Sequence, residues 1–228
     1  MACREGDPKI ISFFLEKFEN QMDSKSKNGR SPLHTTALHG HLDCMKIMLN
    51  SVPQPKFYLD IRDTSGTSPI MDAVRGGHIQ MVHYLTSLDQ DLLNTQDVLG
   101  RNCLRIAAHN GQHEIVRELV ERYHMDVNDL SSPTTSLHWA AKEGQTKVVE
   151  TLLELGANPH ATDISGRIPL ALSIGGQHSE CSKILVYHDS LAPFDIKLLQ
   201  LAKSEPMKKC LEDIFSDKMN IKLFLPRN

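Results

Sequence analysis

The sequence lacks the local motifs by which the common enzyme classes are recognised. It contains no GxSxG nucleophile turn, no GxxxxGK phosphate-binding loop and no HExxH zinc motif. Twelve histidines are present, and His39 and His41 lie two residues apart, but no Cys, Asp or Glu ligand set completes a zinc pattern. These absences predict a protein that is not an enzyme and that binds no cofactor and no metal.

Long apolar runs are also missing, and none reaches the roughly 18 residues of a membrane span. The N-terminus has no basic start followed by an apolar core, so a secretory signal is not indicated. A net charge of −3 gives no reason to expect a nucleic-acid or membrane partner. No CxxC pair occurs among the five cysteines, which stand at positions 3, 44, 103, 181 and 210. Scattered cysteines suit a reducing compartment, which predicts a cytoplasmic or nuclear protein.

The stretch from Ser136 to Gly166 has the pattern of two helices followed by a turn. In its second half, apolar residues recur at spacings that place them on one side of a helix: Val148, Val149, Leu152 and Leu153. Gly144 and Gly156 stand where each helix must end, because glycine adopts the left-handed conformation of a helix C-terminus at little cost. The segment that follows has turn chemistry. Such a unit is too small to bury its own apolar face.

The same unit recurs along the chain, which decides the predicted fold. The glycine between the two helices is followed through Gly6, Gly40, Gly77, Gly111, Gly144 and Gly176, in steps of 34, 37, 34, 33 and 32 residues. The first helices start at Ser31-Pro-Leu-His34, Ser68-Pro-Ile-Met71, Asn102-Cys-Leu-Arg105, Thr135-Ser-Leu-His138 and Ile168-Pro-Leu-Ala171. A period of about 33 residues with a TPLHxA-like start is typical of one repeat family.

On these residues the chain resembles the ankyrin repeat family over positions 2–188. The resemblance implies an all-α fold, an ankyrin-repeat solenoid of about five full helix-turn-helix repeats with degenerate terminal units. We assign an incomplete N-terminal repeat to 1–26, ankyrin repeats to 27–188, a degenerate C-terminal capping repeat to 189–215 and a tail to 216–228. Within the capping repeat, two short helices are expected at 195–203 and 205–215, with Ser204 as an N-cap.

The N-terminal repeat carries a second helix but little of a first one. Apolar residues of that second helix would therefore lose their cover on the N-terminal side: Ile10, Ile11, Phe13 and Phe14. We expect the chain to be a shortened form of a longer array. A natural half-repeat that acts as a cap is the alternative.

Three repeats depart from the pattern. The segment 51–58 carries the extra residues of the 37-residue step, and its two prolines predict a lengthened loop. In the fourth repeat Leu130-Ser-Ser-Pro133 replaces the Asp-x-x-Gly turn of the other fingers, the loops that join successive repeats, so this finger should differ in shape. The fifth repeat is one residue short before Gly176, which predicts a first helix that ends tighter or kinked.

Several histidines and the single tryptophan have positions that the resemblance explains. His34 and His138 occupy the fourth place of the TPLH-type start, where the family uses histidine for hydrogen bonds between neighbouring helices. His41, His78 and His178 follow the inter-helix turn, another position at which histidine is structural. Trp139 is interpreted as inter-repeat core, with a contact on the concave surface as the alternative.

The resemblance also places partner contacts at the finger tips and just before the inter-helix glycine, along a concave surface. The residues at these positions are Arg30, His39, Arg75, Val98, Leu99, Arg101, His109, Asn110, Lys142, Ile164 and Arg167. Apolar Val98, Leu99 and Ile164 beside two arginines resemble an interface core with a polar rim. The alternative is that isolated apolar residues are ordinary on surfaces. We predict a non-enzymatic protein-binding scaffold or adaptor.

Two partners follow from finer likenesses. Arg4-Glu-Gly-Asp-Pro8 and Ala140-Ala-Lys-Glu-Gly144 are similar to a family member that guards translation fidelity, which implies alanyl-tRNA synthetase as partner of a monomeric chain. The alternative is a substrate adaptor of a cullin-type ubiquitin ligase, with a divergent SOCS-like box in 190–228. There Asp195 stands where a buried cysteine is expected.

Overall fold

The computed structural model describes residues 2–17, 22, 24–188 and 200–224, and the regular structure of these residues is helical throughout. The predicted all-α repeat fold is confirmed. The helices are α1 (Ala2–Glu5), α2 (Pro8–Lys17), α3 (Pro32–Leu38), α4 (Leu42–Asn50), α5 (Pro55–Leu59), α6 (Pro69–Gly76), α7 (Ile79–Leu88), a 3₁₀ turn (Gln90–Asn94), α8 (Cys103–His109), α9 (His113–Glu121), α10 (Ser136–Glu143), α11 (Thr146–Glu154), α12 (Pro169–Gly175), α13 (Ser179–His188) and α14 (Glu205–Phe224). In the described part, no helix combines the length and apolarity needed to cross a bilayer.

The helix pair α10–α11 shows why these residues form the repeat. Thr135 caps α10, since its side chain accepts the backbone N–H of His138. Gly144 ends the helix at φ 71°, and its N–H and that of the next residue satisfy the last carbonyls of α10. Val148 and Leu152 of α11 are fully buried, as their spacing predicts.

The helices group into two compact units, Met1–Ala107 and Ala108–Asn228. In the first unit α1 packs on α3 and α3 on α6, while α2 packs on α4. In these three pairs, therefore, a helix contacts the corresponding helix of the next repeat. Residues such as Leu33, Met45 and Ile70 form the core of this unit.

The second unit repeats this arrangement. Its first helices α10 and α12 are in contact, and its second helices α9, α11 and α13 follow one another. The long helix α14 packs on α13, and its residues Met207, Leu211 and Ile214 are buried. The hydroxyl of Ser204 accepts the N–H of Met207, so the predicted N-cap is confirmed.

Histidines join successive repeats, as the sequence predicts. Nε2 of His34 donates to the carbonyl of Thr67 at 2.8 Å, and Nε2 of His138 donates to that of Arg167 at 2.9 Å. After three of the inter-helix turns a second set of histidines reaches back to the previous repeat, with bonds from His41 to Arg4, His78 to Leu38 and His178 to Lys142. Burial lowers the pKa of both His34 and His138, so these rings are neutral hydrogen-bonding elements.

Two expectations about individual repeats are wrong: the position of one inter-helix turn and the structure of the segment 51–58. The left-handed residue between α12 and α13 is Gln177 (φ 64°), not Gly176, which is right-handed at φ −79°. Counted to Gln177, the fifth repeat is not short. The segment 51–58 is also more than a loop, because Pro55 starts the one-turn helix α5, in which Leu59 is buried and Phe57 is exposed.

The two terminal regions also differ in detail from the sequence analysis. Ile10, Phe13 and Phe14 are exposed as expected, but Ile11 is buried. The final helix continues to Phe224, beyond the residue 215 at which the sequence analysis ends it. Most of the expected helix at 195–203 lies outside the described residues.

Candidate protein-binding surface

Three of the fingers are built around an aspartate that accepts two backbone N–H groups. Oδ1 of Asp97 accepts those of Leu99 and Arg101 at 2.9 and 3.0 Å. Asp63 and Asp163 do the same two and four residues further on. The glycine that follows in each finger has a φ of 70° to 72°. This geometry is the physical reason for the Asp-x-x-Gly pattern.

In two fingers an arginine closes the turn from outside. Nε and a terminal nitrogen of Arg101 lie 2.8 and 2.7 Å from Oδ2 of Asp97, and Arg167 holds Asp163 in the same two-point manner. The Arg101 side chain is only 13% exposed, whereas that of Arg167 is 56% exposed. Burial alone would raise the pKa of Asp163, but the bonds from Arg167 outweigh it and lower the pKa. Both predicted rim residues are therefore engaged within their own finger.

Apolar side chains project from the tips of these fingers. Val98 is 70% exposed, Leu99 is 59% exposed and Ile164 is 83% exposed, which is where the sequence analysis places them. Leu130, at the atypical fourth finger, is 77% exposed and was not among the predicted contacts. Its place in the finger register is the signal that could have identified it. The turn of this finger does differ, since Pro133 stands where the other three turns have a left-handed glycine and Asp129 accepts the hydroxyl of Ser131 as well as its N–H.

A charged cluster in the first unit contains two other predicted contacts. A terminal nitrogen of Arg30 lies 2.6 Å from Asp72, and one of Arg75 lies 3.2 Å from the same carboxylate. Arg30 also contacts Asp63 at 3.3 Å. Burial raises the pKa of Asp72 to about 6 despite the two guanidinium groups. Sequence reasoning missed Asp72, for which the only signal is a carboxylate inside an otherwise apolar helix start.

A ring cluster in the second unit contains Trp139, which is half-buried rather than core. Its ring meets that of His109 edge-on at 5.4 Å, and Nζ of Lys142 lies 5.0 Å from the ring centre. Nδ1 of His109 is 3.5 Å from a carboxylate oxygen of Glu143. The structure thus brings His109 and Lys142 together around one aromatic side chain.

The remaining predicted contacts are dispersed. His39 is exposed beside His41, with the two ring centres 6.0 Å apart, and Asn110 is half-buried. In the part of the chain that the structure describes, no three His, Cys, Asp or Glu side chains converge as metal ligands. The arrangement offers apolar tips, guanidinium groups and one tryptophan, which are the groups that protein interfaces use.

Comparisons with known proteins agree with this picture. The family profile described as ankyrin repeats (3 copies) matches residues 1–97 and 86–163. The chain is 26% identical over 202 residues to the probable E3 ubiquitin-protein ligase XBOS33 of Oryza sativa subsp. japonica, and the match covers 70% of this chain and 38% of that protein. It is 27% identical over 160 residues to Rabankyrin-5 of Homo sapiens, a match that covers 69% of this chain and 13% of that one.

A solved structure gives the same answer for the fold. The crystal structure of the human ASB11 ankyrin repeat domain superposes with a TM-score of 0.75 at 20% identity, covering 93% of this chain and 95% of that one. The chain therefore spans well under two thirds of the two curated relatives and nearly all of this solved domain. With the repeat profile matched over more than half of its residues, the chain belongs to the ankyrin repeat family.

Proposed function

We propose that this chain is a non-enzymatic adaptor that binds a protein partner through the tips of its fingers. The observation that carries the proposal is the exposure of Val98 and Leu99 on a finger that Asp97 and Arg101 hold in one conformation. Exposed apolar side chains on a fixed loop contribute to binding with little loss of conformational entropy. Ile164 has the same setting in the second unit.

The test compares Leu99→Ala with Phe57→Ala. Phe57 is also apolar and 72% exposed but lies on α5, outside the finger turns, which makes it the matched control. Loss of a central contact costs about 1–2 kcal/mol, roughly a 5- to 30-fold rise in Kd. We expect this loss for Leu99→Ala alone, with the melting temperature unchanged in both variants. Equal losses of binding in the two variants would contradict the proposal.

Purified alanyl-tRNA synthetase is the partner to titrate first. Its support is the likeness of Arg4–Pro8 and Ala140–Gly144 to a translation-fidelity protein of the same family. We assign no lysine of this chain a role in correcting mischarging. Saturable binding that Leu99→Ala weakens is the expected result. If no binding is detected at micromolar concentrations, alanyl-tRNA synthetase is not the partner. The proposal that the finger tips bind a protein would then be tested with a different partner.

A second candidate is a substrate adaptor of a ubiquitin ligase. The name of the rice relative, a probable E3 ubiquitin-protein ligase, and the SOCS-like pattern in 190–228 favour it. The test is a pulldown with elongins B and C, with and without residues 190–228. Binding that disappears with the deletion would favour this function, whereas the alanyl-tRNA synthetase proposal expects no elongin binding.

A further inference from the structure

Two asparagines of the chain are followed directly by glycine, in Asn28-Gly29 and Asn110-Gly111. Asparagine is converted slowly to aspartate when the backbone nitrogen of the next residue attacks its side-chain amide. A glycine in that next position favours the attack, because it has no Cβ to hinder the approach. The surroundings of the two steps decide which of them reacts in the folded chain.

Asn28 lies at the tip of the first finger. The turn of this finger closes in the same way as the later ones, since the N–H of Ser26 donates to the carbonyl of Arg30 at 2.9 Å. Asn28 is exposed, and so are Ser65 and Leu99, which take the same place in the second and third fingers. Both of these fingers have another finger before them, so exposure at this position is a property of the finger itself.

The first finger differs from the others in having no aspartate at the start of its turn. In three later fingers that carboxylate accepts the N–H groups two and four residues further on. Among the described residues, the hydroxyl of Ser26 accepts only the second of these, the N–H of Arg30 at 3.1 Å. The N–H of Asn28 is therefore not held by a side chain of the turn, and in the described part of the chain the Asn28 amide group has no hydrogen bond either.

The surroundings of Asn110 are more enclosed. Asn110 is half-buried, and a Cβ at Gly111 would come within 2.5 Å of Oε1 of Gln145. The amide nitrogen of Gln145 is itself fixed, because it donates to the last carbonyl of α8 at 3.1 Å. At Gly29 the nearest atom to such a Cβ lies 3.3 Å away. The Asn110 step thus has less room to rearrange than the Asn28 step.

We propose that Asn28 is a site of spontaneous deamidation, made accessible by the missing aspartate of the first finger. When the turn opens, the nitrogen of Gly29 leaves the carbonyl of Ser26, loses its proton and forms a bond to Cγ of Asn28. The side-chain nitrogen leaves with a proton as ammonia. Water then opens the resulting succinimide ring at one of its two carbonyl groups, which gives aspartate or isoaspartate. Lys25 and Lys27, both exposed, favour the anionic intermediate.

The reaction changes both the charge and the length of the first finger. Either product places a carboxylate at a tip that was neutral, and isoaspartate also adds one carbon to the main chain before Gly29. The carbonyl of Asn28 accepts the N–H of Thr64 at 3.0 Å, a bond that joins the first finger to the second. An aged chain therefore presents an altered first finger. This inference does not depend on whether the finger tips bind a partner.

The test follows both asparagines in the purified full chain, incubated folded and in denaturing urea. Digestion with the protease Asp-N places them in separate fragments, 23–42 and 97–125, which mass spectrometry compares. In the folded chain we expect Asn28 to react about tenfold or more faster than Asn110. In urea the two rates should be similar, and both should rise with pH because the attacking nitrogen must lose its proton. Equal rates in the folded chain, or reaction of Asn28 in urea alone, would overturn the proposal.

A matched pair of variants tests the role of the missing aspartate. Ser26→Asp restores the acceptor of the later fingers and should slow the reaction at Asn28 by about threefold or more. Ser24→Asp adds the same charge at an exposed position before the turn and should leave the rate near that of wild type. Equal slowing in both variants would mean that charge, rather than the absent hydrogen bonds, controls the reaction, which contradicts the proposal.

Discussion

At the scale of single residues, the buried histidines are the most constrained side chains of the repeats. His138 satisfies two groups at once: its Nδ1 accepts from the hydroxyl of Thr135 at 2.8 Å and its Nε2 donates to the Arg167 carbonyl. Replacement by a smaller side chain leaves both groups unpaired in a buried place. The ring is thus a structural part of the helix start and of the finger beyond it.

We therefore expect His138→Ala to lower the free energy of unfolding by about 2–4 kcal/mol, from lost hydrogen bonds and a cavity. His39→Ala is the control, because His39 is exposed and its loss removes only a ring contact. Urea denaturation of both variants measures the difference. A loss of less than 1 kcal/mol for His138→Ala, by the same urea titration, would show that water replaces the ring.

Two kinds of buried group give opposite contributions to the pH dependence of stability. The lowered pKa values of His34 and His138 mean that the unfolded chain takes up protons first, so stability falls as pH drops below the unfolded value of 6.5. Asp72, whose pKa is raised to about 6, binds its proton more readily when folded. Its contribution is greatest below the unfolded value of 3.8 and is lost as pH rises through about 6.

Asp72→Asn should therefore make the chain more sensitive to acid. As the pH falls from 7 to 4, protonation of Asp72 stabilises the folded wild-type chain, while protonation of the histidines in the unfolded chain destabilises it. The Asn variant lacks the stabilising contribution and retains the destabilising one. Denaturant midpoints measured across this range should fall more steeply for the variant. Parallel curves would mean that the guanidinium groups of Arg30 and Arg75 hold Asp72 at an ordinary pKa.

At the scale of helices and fingers, the inter-helix glycine is fixed by what lies next to it. A Cβ at Gly40 would come within 2.4 Å of the His78 ring, which is held by its bond to Leu38, whereas a Cβ at Gly166 would meet nothing within 4 Å. Both glycines have a φ of 71°. The two positions thus separate the cost of backbone strain from the cost of steric conflict.

Gly166→Ala should cost about 1 kcal/mol, the strain of a left-handed alanine. Gly40→Ala should cost about 1 kcal/mol more, because the His78 ring must move and its hydrogen bond is lost. Thermal unfolding of the two variants makes the comparison. Equal costs would indicate that His78 finds another position for its ring.

The finger arginines give a prediction that differs from the one the sequence supports. From the sequence, Arg101→Ala should weaken partner binding without lowering the melting temperature. In the structure Arg101 is largely buried against Asp97, so its removal takes away both guanidinium contacts to Oδ2 of that buried carboxylate and should cost about 1–3 kcal/mol of stability. Arg167→Ala, at a more exposed pair, should cost less than 1 kcal/mol. Calorimetric melting of both variants tests the order.

At the scale of the whole molecule, periodicity was sufficient to predict the helix pairs, because each repeat places the same apolar spacing and the same turn glycine in local sequence. It failed where an unexpected residue takes the left-handed conformation, as Gln177 does beside Gly176. Contacts between residues far apart in the sequence could not be predicted from periodicity either. The pairing of Arg30 with Asp72, 42 residues away, depends on side-chain directions that no spacing rule specifies.

The outermost described helices of the two units differ in how far their apolar side chains are buried by neighbouring helices. In the second unit, α14 packs on α13 and buries Leu211 completely, whereas Phe14 of α2 in the first unit is partly exposed. In repeat proteins each unit is stabilised mainly by its neighbours, so removal of a covering contact destabilises the pair beneath it. The stability of the helix pair α12–α13 should therefore depend on Leu211, which lies on α14, outside the full repeats.

Leu211→Ala should lower the free energy of unfolding by about 2–4 kcal/mol, as for other fully buried leucines. Phe14→Ala should cost less than that, since a large part of its side chain is already in water. Trp139 is the single tryptophan and lies in the second unit, so its fluorescence reports the unfolding of that unit, while circular dichroism reports all helices. Leu211→Ala should shift the fluorescence midpoint, and Phe14→Ala should leave it in place. A shift in both variants would mean that the two units unfold as one cooperative structure.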